Sequence, residues 1–319
     1  MRKTRLWGVM VRALIQAGVN AETPLTLPGE ERILFSSLEL ERRTQPWCPG
    51  DCAVLVPFVA SYRKGAERLV FVGARHAFGP TDPTMRAVKA AFAEIQPKVV
   101  ILEGFPTAMG ENPPPLVAEA RRYGAPDADQ FARSEAMYAA SIALTRGIRF
   151  VGGEPTRQEE NEALKAKGFT DADMAFSALL GEFSQTLRSG EIPDMSPGSL
   201  AKVYPQLAER VKAPTERGGW SLDAPSLDEF RQQYRDMYGI DIAVDDKFPL
   251  RIDVGDTTRR GQQGKAAGIT RDRHLLGLIE QQLTETHSVL VVYGASHWST
   301  LSAALEQRMG KPEVRPFLK

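Results

Sequence analysis

The sequence predicts an α/β fold: a split central mixed or parallel sheet flanked by helices, in two related halves, with a mostly helical insert. Three observations predict it. Short Val-rich apolar runs at 69–72, 98–102, 148–151 and 290–293 alternate with amphipathic helical stretches, the pattern of a sheet buried on both faces. One phrase, Leu-Val-x-x-Gly-Ala-x-His, occurs twice, as Leu69–His76 and as Leu290–His297. A helical stretch follows each copy, so each half reads strand, Gly-x-x-His, helix.

In the first half, Leu69–Val72 is a core strand, and a glycine, Gly73, is expected to let the chain turn as it leaves the sheet. Thr81-Asp82-Pro83 is a helix start, with a capping side chain before a proline. Met85, Val88, Phe92 and Ile95 fall on one helical face, and Pro97 ends it. Lys98–Leu102 is the next strand, so a strand–helix–strand unit places two parallel strands with their ends on one edge. His76 and Glu103 then face one crevice, where open α/β sheets put their ligands.

Residues 105–115 are rich in Pro and Gly and read as a lid or substrate loop. Glu135–Arg146 is a helix with Gly147 as its terminator, and Ile148–Val151 is a third strand leading to Glu154. Residues 156–189 read as helical. Residues 190–265 show no strong period, although Leu227–Met237 is a helix with Phe230 and Tyr234 on one side, and Asp241–Asp253 alternates like a strand. The insert spans about 156–265. The second half opens with Thr270 as the cap of a helix from Arg271 to Leu283. The second phrase and a closing helix to Met309 follow.

Composition removes several classes. Forty basic residues balance forty acidic ones, so bulk charge gives no nucleic-acid partner. No run of eighteen apolar residues exists, so no transmembrane segment is expected. Arg2, Lys3 and Arg5 precede Leu6–Val11, so residues 1–21 read either as a secretory signal or, because Arg12 interrupts the run, as an amphipathic N-terminal segment. Residues 22–60 read as short strands, Ile33–Phe35 and Ala53–Phe58, with Pro57 confining the second to an edge. Residues 22–319 form a single domain in this reading. Cys48 and Cys52 flank a Pro-Gly turn, and a disulfide there suits an oxidising compartment. The balance leans to an exported or periplasmic protein, with a cytoplasmic one as the alternative.

Two of the four histidines, His76 and His297, occupy equivalent places past strand ends. With Glu103, and with Glu154 as a fourth donor, they make a divalent-metal set for Mn, Co or Zn. Such an ion would activate bound water. The other chemistry open to these residues needs no metal. One histidine acts as general base, oriented by Glu103, and Arg75 or Arg271 steadies the oxyanion. Arg271, at the start of its helix in this reading, opposes the helix dipole, so something else should hold it there. His274 and His287 read as solvated, and Trp298 as core or pocket wall. No Gly-x-Ser-x-Gly elbow, P-loop, His-Glu-x-x-His helix or Gly-x-Gly-x-x-Gly fingerprint occurs.

The paired motifs Gly73/His76 and Gly294/His297, Glu103 after a Val-Val-Ile-Leu run, and Arg271 resemble the TraB/Tiki superfamily. Its relatives include GumN-type proteins, pheromone-shutdown proteins, erythromycin esterase-like enzymes and ChaN-type haem-binding proteins. The resemblance covers about residues 69–155 and 268–305. It implies one cleft between two related halves and, for Tiki-like members, a metal-dependent peptidase. His76, Glu103 and His297 would be the metal residues and Arg271 an assisting arginine. Two departures stand out: Asp272 follows Arg271 where an Asn is common, and Arg75 lies inside the first motif. The expected function is therefore a metal-dependent hydrolase acting on a peptide or on a small ester or amide. The alternatives are a metal-free esterase with His76 as base, or a non-catalytic binder of a peptide or haem-like ligand.

Overall fold

The computed structural model describes residues 56–129, 131–189, 191–212, 222–245, 248 and 258–317, all within the compact unit Leu40–Lys319. The readings for residues 1–21, Ile33–Phe35 and the Cys48/Cys52 pair lie outside the described residues.

Six strands form one mixed sheet: β1 (Phe58–Lys64), β2 (Glu67–Ala74), β3 (Val99–Pro106), β4 (Arg149–Glu154), β5 (Ser288–Gly294) and β6 (Glu313–Pro316). Their order is β4-β3-β5-β2-β1-β6. The first four in that order are mutually parallel, while β1 runs antiparallel to β2 and to β6. The fold is α/β, as expected. Most of the strand read at Ala53–Phe58 lies outside the described residues; Val56 and Pro57 are not in a strand, and β1, flanked on both sides, starts at Phe58.

Among the described residues there are nine α-helices: α1 (Pro83–Ile95), α2 (Pro114–Arg122), α3 (Glu135–Thr145), α4 (Arg157–Ala166), α5 (Asp171–Ser189), α6 (Pro197–Lys212), α7 (Leu227–Tyr238), α8 (Arg259–Thr286) and α9 (Ala295–Met309). None of the described helices is long and apolar enough to cross a membrane. α1 begins as its sequence dictates: the Asp82 carboxylate accepts from the Thr84 N–H and Pro83 fills the first turn. It ends at Gln96 in the left-handed region, ahead of Pro97.

The two copies of the phrase lie side by side but one residue out of step. Gly73 pairs with Tyr293, and Ala74 with Gly294. A one-residue offset sends corresponding side chains to opposite faces. Val70 and Val72 therefore share a core with Leu290 and Val292, against α1, α2 and α3. On the other face Phe58 meets Trp298 of α9 edge-on, ring centroids 5.1 Å apart. Trp298 is fully buried and donates to the Tyr62 hydroxyl, so it is core, not pocket wall.

Four local expectations are corrected. Residues 105–115 are not an open lid: β3 runs on to Pro106, a 3-10 turn covers Thr107–Met109, and α2 begins at Pro114. Asn112 ties this segment to β4, its N–H donating to the Phe150 carbonyl and its side chain accepting from the Phe150 N–H. Thr270 caps nothing. It lies inside the 28-residue α8, with its hydroxyl donating to the Ala266 carbonyl, and the true cap is Thr258. Gly261, Gly264 and Gly268 weaken local helix propensity and disguise that first half. In the insert, α6 lies where no period was read, although Leu200, Val203, Tyr204 and Leu207 are its buried stripe. Residues Ile242–Val244 form a 3-10 turn, with no strand among the described residues near them. Phe230 and Tyr234 face inward as expected, in a separate cluster with Phe176, Phe183 and Phe248.

Candidate functional site

Parallel pairing decides where the chemistry sits. Leu102 is level with both Val292 of β5 and Gly152 of β4, and Ala74 is level with Gly294. The residues just beyond these points, Arg75, His76, Glu103, Glu154 and His297, therefore project from one edge of the sheet. α8 crosses behind β4 and β5 and brings in Arg271 and Asp272 from mid-helix.

Glu103 is the hub. Its Oε2 accepts from the Gly294 N–H at 2.6 Å. Its Oε1 lies 3.3 Å from both Arg271 Nη2 and His297 Nε2. Burial alone would push this carboxyl up; contact with His297, with the Arg271 charge behind it, instead brings it down to about 2. Glu154 grips Arg271 at both ends, Oε2 to Nε at 2.6 Å and Oε1 to Nη2 at 2.5 Å, and it also accepts from the Gly104 N–H. Arg271 is thus held between two carboxylates by a forked guanidinium, which suits bidentate pairing.

His297 stands in the first turn of α9, 8% exposed. Its Nδ1 meets Asp272 Oδ1 at 2.6 Å and its Nε2 faces Glu103. Burial disfavours its charged form, yet these two carboxylates raise its pKa to about 9.

His76 has a different setting. It lies in a loop before α1, its side chain 66% exposed. Its Nδ1 is 2.8 Å from Glu135 Oε1, while Glu135 Oε2 accepts from the Ala77 N–H at 3.1 Å. Glu135 is itself buried, at the first turn of α3 behind the Ser134 cap. The Glu135 hydrogen bond raises the His76 pKa, against the effect of burial, and the charges of Glu103 and His297 also reach it. Of the two imidazoles, His76 is the exposed one.

Other expected residues divide. Arg75 is exposed and does not hold Glu103; Arg271 does. His274 is not solvated. It is half-buried, its Nε2 is 2.8 Å from Thr107 Oγ1, and burial lowers its pKa. His287 is exposed, as expected, and ends α8 in the left-handed region. In the sequence Glu135 stands only at a helix start, and Asp272 only beside Arg271. Neither stands in a strand-end pattern, so no spacing marked them.

The glycines serve a purpose other than turning. A Cβ at Gly73 would lie 2.2 Å from the Phe58 ring, and one at Gly294 would lie 3.3 Å from Glu103 Oε2. Neither has the positive φ a sharp turn would need. They make room for a ring and a carboxylate. Gly153 does the same for Tyr293, whose hydroxyl would lie 2.4 Å from an added Cβ.

Among the described residues no group of three or more His, Cys, Asp or Glu side chains is arranged to hold a metal ion. The expected set of His76, Glu103, Glu154 and His297 does not fit one as it stands. Both nitrogens of His297 face carboxylates, Asp272 and Glu103, and both Glu103 and Glu154 are engaged by Arg271. The positive charge an ion would supply comes here from Arg271 and His297. The chain was compared with protein-family models, curated proteins and solved structures, and none matches.

Proposed function

We propose that this chain is a hydrolase of an ester or amide, with His76 as general base and no resident metal. The observation that carries the reading is the contrast between the two histidines. His76 is exposed, and a buried carboxylate orients its Nδ1. That leaves Nε2 with a lone pair for a water proton. His297 is fixed as a cation beside Arg271. Positive groups held in a partly buried cleft stabilise a developing oxyanion. Arg271 Nη1 has no partner among the described residues and is the donor best suited to that oxygen.

In the proposed step His76 Nε2 takes a proton from water as its oxygen attacks the carbonyl carbon. The carbonyl π pair moves onto oxygen, facing Arg271. Collapse of the tetrahedral adduct re-forms the carbonyl and expels the alcohol or amine, which takes the proton back from His76. Glu135 holds the ring throughout. The resemblance to the TraB/Tiki group supports the residue set, and its esterase-like relatives fit this metal-free version better than its metallopeptidases.

Hydrolysis of p-nitrophenyl esters by protein treated with a chelator tests the reading. Wild type is expected to turn over, and His76→Ala to lose about 10²–10⁴ of kcat, the usual worth of a general base. Stoichiometric Mn, Co or Zn in the purified protein, lost in His76→Ala together with activity, would overturn it in favour of the metal set. Saturable ligand binding with no turnover of any ester or amide would leave a binding protein.

A further inference from the structure

Phe78 and Phe131 are 44% and 39% exposed, two of only three large apolar side chains so placed among the described residues. The third, Val244, belongs to the insert. A single exposed phenylalanine is ordinary. The placement of these two is not. Phe78 follows His76 by two residues, and Phe131 precedes Glu135 by four. The Ala77 N–H donating to Glu135 joins the two segments. Phe131 is also braced from below: its ring meets Phe105 edge-on at 5.4 Å, and Phe105 lies two residues beyond Glu103 on β3. Its carbonyl accepts from the Ser134 N–H, which ties the turn to the start of α3.

Two partly exposed aromatic side chains thus adjoin the His76–Glu135 pair along the chain, on segments that the Ala77 hydrogen bond holds together. Ligand pockets combine a few oriented polar groups with apolar and aromatic walls. We infer that Phe78 and Phe131 form an acyl-binding rim, so that the substrate is an ester or amide of an apolar acid. The acyl chain lies across the two rings while its carbonyl carbon is presented to the water held by His76. This rests on the proposed hydrolase reading and names its substrate class.

The test compares p-nitrophenyl octanoate with p-nitrophenyl acetate on the full chain and on Phe78→Ser/Phe131→Ser. Wild type is expected to favour the octanoyl ester in kcat/KM by tenfold or more. The double variant should lose about tenfold of that ratio, chiefly through KM, a size typical of losing a few methylene contacts. The melting temperature is measured alongside; if the double variant fails to fold, each single variant is read instead. Turnover without chain-length preference, or a ratio unchanged by the variant, overturns the rim while leaving the hydrolase intact. If neither ester is cleaved, binding of the apolar probe N-phenyl-1-naphthylamine to His76→Ala decides. Saturable binding lost on removing the two rings keeps the rim and removes the hydrolase. Its absence overturns the rim.

Discussion

His76 and His297 end the same eight-residue phrase, yet the protein gives them opposite surroundings. His297 is clamped between Asp272 and Glu103 and buried, and the two carboxylates favour its charged form. His76 has one carboxylate partner and an open side. The difference begins with register. The two strands pair one residue out of step, so equivalent positions face opposite layers of the molecule. α9 then starts directly after Gly294 and draws His297 into its first turn, whereas six residues separate His76 from Pro83. A repeated motif therefore fixes the address of a side chain at the sheet edge, and its neighbours decide its burial and its partners.

Arg271 marks the largest energetic difference between the two sides of the site. Arg271→Met removes the shared partner of Glu103 and Glu154, both largely buried. Stripping one side of a buried ion pair costs about 3–5 kcal/mol. Chemical denaturation should show that loss, and activity should vanish with it. His76→Ala, at the exposed end, should change stability by no more than about 1 kcal/mol, in the range of a single net hydrogen bond. Equal losses in the two variants would mean the two sides of the site are not the separate cationic and basic halves described above.

Much of this was legible in the sequence. The Val-rich runs and capped helices gave the parallel core, and the crossover argument alone placed His76 and Glu103 on one edge. Order in the sheet was less accessible. β5, from the far end of the chain, slots between β2 and β3, and no local pattern encodes that. The partners of the histidines were hidden for a similar reason. Asp272 and Glu135 sit on helices whose packing brings them in from other layers. Arg271 was rightly suspected of having a partner, for the wrong reason: it lies in the middle of α8, so no dipole acts on it there, and the two carboxylates are what hold it.

The two motif glycines differ by an intermediate amount. At Gly73 a methyl group would meet three atoms of the fully buried Phe58 ring at 2.7 Å or less. The ring also packs on Trp298, so it has nowhere easy to go. Gly73→Ala should cost about 1–3 kcal/mol by overpacking. At Gly294 the nearest atom is the tip of the Glu103 side chain, at 3.3 Å, and a small shift of the carboxylate relieves it. Gly294→Ala should therefore leave the melting temperature nearly unchanged while weakening the bond from the Gly294 N–H to Glu103. If Gly294→Ala proves the more destabilising, the strand end is more tightly constrained than the contacts imply.

The smallest effect separates the two histidines most cleanly. Glu135→Gln keeps the shape beside His76 but removes the charge that raises its pKa. His76 must be neutral to accept a proton, so activity rises as pH climbs through its pKa, and in wild type that limb lies above the ordinary histidine value of 6.5. The variant's limb should move to lower pH. Its plateau kcat should fall about tenfold, since the imidazolium formed in the transition state loses its carboxylate; that corresponds to about 1.4 kcal/mol. Asp272 and Glu103 push His297 up to about 9, and those partners are untouched, so any alkaline fall in activity that follows loss of its charge should stay where it is. A kcat–pH profile reads both limbs at once. Movement of the alkaline limb alone would assign the base to His297 and reverse the roles given to the two rings.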